Sequence, residues 1–269
     1  MKRVQPLLRF MNDIKGYLDE WTEKMNQPSY IEKDPVQFPL RFRNPEDVEV
    51  AAFLTATITW GNRSMILNSA EKMFAKMGEN PYDYVMSEGY KSLGYGNIHR
   101  TFFEQDLLYL CKGLNAYYSS SGESLECLFA KCDTLWDGIL EFRQLMALGN
   151  GGVYSKHVSN PMASSACKRL HLALRWLVRK DGIVDSGIWK NISPSKLYIP
   201  LDVHVGRVSR EMGLLDRKQN DKAAVESLTG VLRGFCPEDP VKYDFALFGI
   251  GESGLQISAI LNPVRNAMI

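Results

Sequence analysis

The stretch IPLDVHVGRV, residues 199–208, places an acidic residue at the start of a predicted helix. Asp202 follows a Pro-containing apolar turn and precedes a segment of helical periodicity, so its carboxylate is expected among unpaired helix N–H groups. The helix dipole favours the ionised form of such a group. A charged carboxylate here could stabilise positive charge on a sugar or accept a proton from an amine. An aspartate that only caps the helix explains the same position.

A second candidate group, Lys168, lies 34 residues earlier. Lysine amines act as nucleophiles in covalent catalysis, although an exposed helical lysine is usually only solvated. On a helical wheel the same stripe carries Lys168, His171, Arg175 and Arg179, and the opposite side is apolar. The sequence therefore predicts an exposed basic edge that either runs beside a phosphate backbone or simply faces water.

Helical periodicity extends over nearly the whole chain and predicts an all-α fold. Asn44 and Pro45 provide an N-cap and a first-turn proline for an almost wholly apolar segment, residues 48–60, which is expected to be buried on most sides. Alternating strand patterns with tight turns are missing, so negligible strand is expected. Further helices are predicted at residues 7–25, 63–77, 104–118, 125–146, 163–180, 203–212, 221–234 and 241–248.

Glycine and proline residues that break helices cluster at residues 149–152 and again after residue 180. They suggest two helical lobes within a single compact unit that covers residues 1–269. One lobe is expected at about 45–150, and the other is formed by about 1–44 together with 151–269. A cleft is expected between the two lobes.

The composition of this 269-residue chain, 45% hydrophobic, is sufficient for a large core. Five cysteines without a C-x-x-C pair fit reduced thiols in a cytoplasmic protein. Neither a secretory signal nor an apolar run long enough for a membrane span is predicted. The net charge is +1, but residues 155–218 carry twelve Lys and Arg against five Asp and Glu, a local charge of +7. A phosphate-bearing partner or a solubilising surface explains this asymmetry.

A pattern around the acid is formed by Pro200, Leu201, Asp202, Val203, His204 and Arg207, followed by Met212-Gly213-Leu214. It resembles the helix-hairpin-helix DNA glycosylases of the endonuclease III superfamily. The wide gap between Lys168 and Asp202 is similar to that of the archaeal 8-oxoguanine glycosylase branch. An uncharacterised bacterial family of unknown function is similar over most of the chain. It shares Lys168-Arg169-Leu170, Leu174-Arg175-Trp176 and the segment DPVKYDFAL, residues 239–247.

The resemblance implies an endonuclease III-like helical fold with two lobes and a base-excision enzyme with lyase activity. A damaged nucleotide would be flipped out of the DNA, Lys168 would attack the sugar, and Asp202 would accept its proton or stabilise the cationic sugar. No cofactor or metal is expected, because the iron–sulfur cysteine signature is missing and the histidines show no ligand spacing. The phosphate-binding hairpin of the superfamily corresponds to NPMASSAC, residues 160–167, which lacks the usual glycines.

Polar side chains that could contact nucleic acid are Asn62, Arg63, Arg169, His171, Arg175, Arg179, His204 and Arg207. Aromatic side chains that could stack on a base are Trp60, Trp189 and Tyr198, although such residues more often serve as packing anchors in the core. Damaged duplex DNA is the expected partner, and the chain is expected to be a monomer without a membrane partner. Two alternatives stay open: a non-catalytic nucleic-acid-binding module of the same fold, and an enzyme that acts on RNA or nucleotides.

Overall fold

Helices dominate the computed structural model, which describes residues 4–257. A single β-hairpin is present among these residues, with strands β1 (Asn97–His99) and β2 (Phe102–Phe103) paired antiparallel. The predicted all-α fold class is confirmed. No helix in this part of the chain is long and apolar enough to cross a membrane. The helices are α1 (Val4–Met25), α2 (Pro28–Ile31), α3 (Pro45–Thr57), α4 (Arg63–Met77), α5 (Pro81–Met86), α6 (Glu104–Ser121), α7 (Leu125–Ala130), α8 (Leu135–Leu148), α9 (Lys168–Val178), α10 (Val203–Glu211), α11 (Lys222–Phe235) and α12 (Tyr243–Ser253).

Helix α3 is buried, as its apolar composition predicts. Every side chain from Asp47 to Thr57 lies inside the protein, and α3 packs against α9. Asn44 occupies the N-cap position, but its side chain donates to the Asp47 carboxylate at 3.3 Å and leaves the backbone N–H groups uncapped. Because Lys168 is the first residue of α9, the packing of α9 on α3 fixes where this lysine emerges.

Three of the helix predictions are clearly wrong in their bounds, among them the helix predicted at 241–248, which begins at Tyr243 and continues to Ser253. The helix predicted at residues 125–146 is broken into α7 and α8, because Thr134 starts a new helix by accepting a hydrogen bond from the backbone N–H of Asp137 at 3.2 Å. The helix predicted at 163–180 begins only at Lys168. Ser164 and Cys167 have left-handed backbone conformations, with φ of 57° and 45°, which an α-helix cannot contain.

Glu49 on α3 is a buried carboxylate that ties the loop after α9 to the helical core. It accepts hydrogen bonds from Trp189 Nε1 at 2.7 Å, from the Tyr118 hydroxyl at 3.0 Å and from the backbone N–H of Leu125 at 3.0 Å. Trp189 is only 3% exposed and packs beside Phe53. The structure therefore corrects the prediction that Trp189 stacks on a base, because its ring and its polar atom are both committed to the core.

Candidate active site

A cleft of about 650 Å³ contains both of the residues predicted to carry the chemistry, Lys168 and Asp202. Its walls come from α2, the turn between α3 and α4, the start of α9, the turn before α10 and one face of α12. This volume lies in the range of clefts that bind small molecules. The cleft gathers segments that are more than 200 residues apart in the chain, from Tyr30 to Glu252.

Asp202 is the N-cap of α10, as predicted. Its Oδ1 accepts a hydrogen bond from the backbone N–H of Val205 at 2.8 Å. Its own backbone carbonyl accepts a hydrogen bond from the side-chain amide of Asn220 at 2.9 Å, which fixes the turn. The second carboxylate oxygen, Oδ2, is directed towards Lys168. Asp202 therefore has one oxygen engaged with the helix and one available to the cleft.

Lys168 lies opposite that free oxygen, with its Nζ 3.7 Å from Asp202 Oδ2. The side chains of Lys168 and Asp202 are 30% and 15% exposed, so the pair can be reached from the cleft. The loop before α9 is anchored to the start of α11, because the backbone N–H of Lys222 donates to the carbonyl of Ser164 at 3.0 Å. This anchor and the packing on α3 position an amine beside a proton acceptor, the arrangement that a lysine nucleophile requires.

The predicted basic edge of α9 is wrong for three of its four residues. His171 is fully buried against Trp136, with ring centroids 4.4 Å apart, and burial lowers its pKa to about 3, so the imidazole is neutral. Arg175 and Arg179 are turned into the protein, where they pair with aspartates. His171 and Arg179 cannot contact a phosphate backbone from these positions, and Arg175 reaches only the cleft interior. The wheel identifies residues that share a stripe, but the carboxylates that neutralise this stripe come from distant segments.

We define the buried ion-pair cluster by its two guanidinium and four carboxylate groups. Arg175 binds Asp185 at 3.1 Å and also contacts Asp244. Arg179 binds Asp185 at 3.0 Å and Asp239 at 2.8 Å, and it also contacts Asp181. Burial lowers the pKa of the Arg175 guanidinium, but the neighbouring carboxylates outweigh it and raise the pKa overall, so the group stays charged. The members are Arg175, Arg179, Asp181, Asp185, Asp239 and Asp244.

Trp60 and Arg169 line the cleft as a packed pair. The Arg169 guanidinium lies 4.9 Å from the Trp60 ring centroid, and His157 stacks on the same indole at 5.7 Å. Arg169 also donates to the carbonyl of Thr57 at 2.6 Å, which holds the end of α3. Both residues are thus at the cleft; the packing role offered as an alternative for Trp60 is seen in the structure, whereas the contact of Arg169 with Thr57 was not foreseen.

The other predicted contact residues are divided between the cleft and the rest of the surface. Arg63 and His204 line the cleft, where both lie beside Phe248. Asn62 accepts a hydrogen bond from the backbone N–H three residues ahead and so caps α4. Arg207 is exposed outside the cleft lining, where it pairs with a glutamate one turn later on α10.

Tyr198 is half-buried and lies outside the cleft lining. Its ring packs 5.3 Å from Trp136, and the Arg233 guanidinium lies over it at 5.1 Å. The prediction that Tyr198 stacks on a base is therefore corrected, because protein groups already cover its ring.

A family model described as "Protein of unknown function (DUF2400)" matches residues 34–253. The chain belongs to the DUF2400 family. The matched segment includes Lys168 and Asp202 and runs to the last residue of α12. No curated protein and no solved structure is significantly similar to this chain.

Sequence reasoning missed several cleft residues of this DUF2400 protein, among them Asp34, Asp244 and Phe248. Asp244 had an available signal, because it is an acid in the first turn of the apolar helix α12. Asp34 precedes a short 3-10 turn, a position typical of a local cap. Its carboxylate does cap this turn, because it accepts a hydrogen bond from the backbone N–H of Val36 at 3.0 Å. Only the fold brings these residues to the same cleft as Lys168.

Charges in the cleft of this DUF2400 protein are balanced. Four carboxylates line it, from Asp34, Asp202, Asp244 and Glu252, and four cationic groups, from Arg63, Lys168, Arg169 and Arg175. Among residues 4–257, no group of three or more His, Cys, Asp or Glu side chains is arranged to hold a metal ion. The amine and carboxylates that line the cleft can support proton transfer and nucleophilic attack.

Proposed function

We propose that the chain is a DNA N-glycosylase with lyase activity, in which Lys168 is the nucleophile and Asp202 the proton acceptor. The observation that carries the proposal is the 3.7 Å approach of Lys168 Nζ to Asp202 Oδ2 inside the cleft. The resemblance of the segment around Asp202 to the endonuclease III superfamily supplies the reaction class. The proposal includes the two-lobed, endonuclease III-like arrangement of the helices and damaged duplex DNA as the partner.

The proposed reaction begins when an extruded nucleoside enters the cleft and excludes water from the Lys168–Asp202 pair. Loss of water disfavours both charged forms, so a proton moves from the lysine ammonium to the carboxylate. The neutral amine then attacks the anomeric carbon of the sugar, the bond from this carbon to the base breaks, and the base leaves with the bonding electron pair. As the sugar ring opens, the nitrogen passes a proton to the ring oxygen and the product becomes an imine, from which elimination cuts the strand.

A second candidate function is an enzyme that acts on RNA or on a free nucleotide. The balanced charges of the cleft favour it, because a site for a duplex backbone usually carries excess positive charge. Burial of His171 and Arg179 removes two of the cations that would have held phosphates. Salt dependence distinguishes the two candidates, because duplex binding by several lysine and arginine contacts weakens steeply with added salt.

Borohydride trapping on lesion-bearing and abasic-site duplex oligonucleotides tests the nucleophile directly. The wild type is expected to form a reducible covalent adduct, and Lys168→Gln is expected to form none while still binding DNA. Lys222→Gln is the matched control, since Lys222 is likewise the first residue of a helix after an N-cap and lies outside the cleft lining. An adduct that persists in Lys168→Gln contradicts the assignment.

A second pair of variants tests the carboxylate. Asp221 caps α11 just as Asp202 caps α10, accepting from the backbone N–H of Ala224 at 3.0 Å, but its partner is the nearby Arg217. Asp202→Asn is expected to slow adduct formation by roughly 10²- to 10⁴-fold, the usual contribution of a proton-transfer group, and Asp221→Asn is expected to leave the rate unchanged. If Asp202→Asn keeps full activity, Asp202 only caps α10 and takes no part in the proton transfer.

If no oligonucleotide gives an adduct with the wild type, and binding to unmodified duplex falls little between 50 and 200 mM salt, the RNA or nucleotide enzyme becomes the better hypothesis. Steep salt dependence without any adduct favours the non-catalytic binding module instead. Each result therefore selects one of the three functions.

A further inference from the structure

The buried ion-pair cluster holds more carboxylates than guanidinium groups. Two arginines, Arg175 and Arg179, face four aspartates, and Asp185 is shared between both arginines. Asp185 and Asp244 are the most buried of the four, with side chains 0% and 8% exposed, and a carboxyl group in such a place relieves the cost of desolvation by holding a proton. The geometry of the cluster therefore provides a place for a proton next to the cleft.

Asp244 is the member of this cluster in which proton storage can serve the cleft. It is the only one of the four aspartates that lines the cleft, and its side chain is 8% exposed. Arg175, its ion-pair partner, is shared with Asp185, which reduces the positive charge available to Asp244.

Charged groups face Asp244 from two directions, Arg175 and Lys168 on α9 and Asp202 before α10, and the neutral Tyr30 hydroxyl on α2 lies near it. Burial is the main cause that raises the pKa of Asp244, to about 6, and the negative charge of Asp202 adds to it, against the lowering effects of Arg175 and Lys168. A carboxyl group in this range exchanges its proton near neutral pH, which suits a general acid.

We propose that Asp244 is the acid that protonates the departing base, an inference that rests on the glycosylase function proposed above. Asp202 is not free for this task, because one of its oxygens caps α10 and the other faces the lysine. The two carboxyl groups thus divide the work: Asp202 takes a proton from Lys168, and Asp244 gives one to the base.

Lys168 passes one ammonium proton to Asp202, and its nitrogen then bonds to the anomeric carbon. The bond from that carbon to the base breaks, and its electron pair goes to the base, which receives the carboxyl proton of Asp244. The products are a covalent ammonium, a neutral base, a protonated Asp202 and an ionised Asp244, so the total charge is unchanged.

The experiment uses two kinds of oligonucleotide duplex, because only one of them has a base to release. An abasic-site duplex offers an aldehyde that Lys168 can attack without any leaving base, whereas a lesion-bearing duplex requires base release. Asp244→Asn is expected to trap on the abasic duplex within about twofold of the wild type, but to release the base at least 100-fold more slowly, in keeping with the loss of a general acid.

Asp239→Asn is the matched control, because it removes one carboxylate from the same cluster at a residue outside the cleft lining. It is expected to match the wild type on both duplexes. Equal base release by Asp244→Asn and Asp239→Asn overturns the role of Asp244 and leaves the proposed function intact. Loss of both reactions in Asp244→Asn overturns it too, in favour of a structural role.

Failure of the wild type to trap on the abasic duplex overturns the proposed function itself. Trapping on the abasic duplex without base release from any lesion leaves only a lyase, which overturns the glycosylase step and with it the role of Asp244. Carbon-13 NMR of the aspartate carboxyls adds a readout that needs no substrate. One signal, absent from Asp244→Asn, is expected to titrate near pH 6. A midpoint at the ordinary aspartate value of 3.8 contradicts the proposal.

Discussion

The two ends of helix α9 carry similar side chains in very different surroundings. At the N-terminal end, Lys168 reaches the cleft and faces a single carboxylate across it. Towards the C-terminal end, Arg175 and Arg179 are almost completely buried among aspartates. The spacing of cationic residues along one face of a helix therefore does not predict whether their side chains are exposed to solvent. Whether each cation is a reactive group or part of the core depends on which distant segments supply the counter-charges.

The largest expected effect compares these two ends by mutation. Arg179→Gln is expected to lower the free energy of unfolding by roughly 3–5 kcal/mol, because it leaves buried carboxylates without their partner. Lys168→Gln is expected to lower it by less than about 1 kcal/mol, the range of partly exposed ion pairs. Urea unfolding at pH 7 measures both. Similar losses in the two variants contradict the distinction between a partly exposed end and a buried end.

The next effect concerns the pH dependence of stability at the buried end. Burial raises the pKa of Asp244 from 3.8 to about 6, so the folded state binds more protons than the unfolded state between these values. Raising the pH through 6 therefore destabilises the wild type relative to Asp244→Asn. Between pH 5 and 7.5 the difference in unfolding free energy is expected to change by about 1.4 kcal/mol.

Urea unfolding of the wild type and Asp244→Asn at both pH values gives this difference, since other titrating groups cancel in the comparison. Asp239→Asn serves again as a control for removing a charge from the cluster. A difference that stays constant with pH, or changes with the opposite sign, shows that Asp244 is ionised throughout.

The smallest expected effect is at the N-terminus of α10, where two variants separate the capping hydrogen bond of Asp202 from its charge. Asp202→Ala removes the hydrogen bond to Val205 N and is expected to cost about 1 kcal/mol of unfolding free energy. Asp202→Asn keeps a capping oxygen and is expected to stay within a few tenths of a kcal/mol of the wild type. Thermal or urea unfolding compares the two. Equal losses indicate that the carboxylate charge, rather than its hydrogen bond, stabilises α10.

Local signals in the sequence predicted several elements of this fold well. The bounds of α4, the burial of α3 and the cap at Asp202 all follow from residues within a few positions of one another. The break between α7 and α8 was missed although it has a local cause, because the continuous apolar pattern concealed the capping box at Thr134.

Long-range contacts account for the site residues that sequence analysis misplaced. Trp189 looks like a possible stacking residue until Glu49, 140 residues away, accepts its indole N–H. His171 looks like a basic surface group until Trp136 covers it. Asp244 was overlooked because its importance depends on Arg175, 69 residues away, and on the nearby cleft.

The sequence by itself determined the helical fold class, most helix positions and the capping of α10 by Asp202, because helix periodicity and capping involve neighbours within about four residues. Tertiary contacts bring Lys168 next to Asp202, bury Arg175 and Arg179, and place Asp244 in the lining of the cleft. These outcomes depend on the packing of α9 against α3 and of α10 against α12. Pairing and desolvation of charges across such contacts cannot be derived from the spacing of residues along one helix.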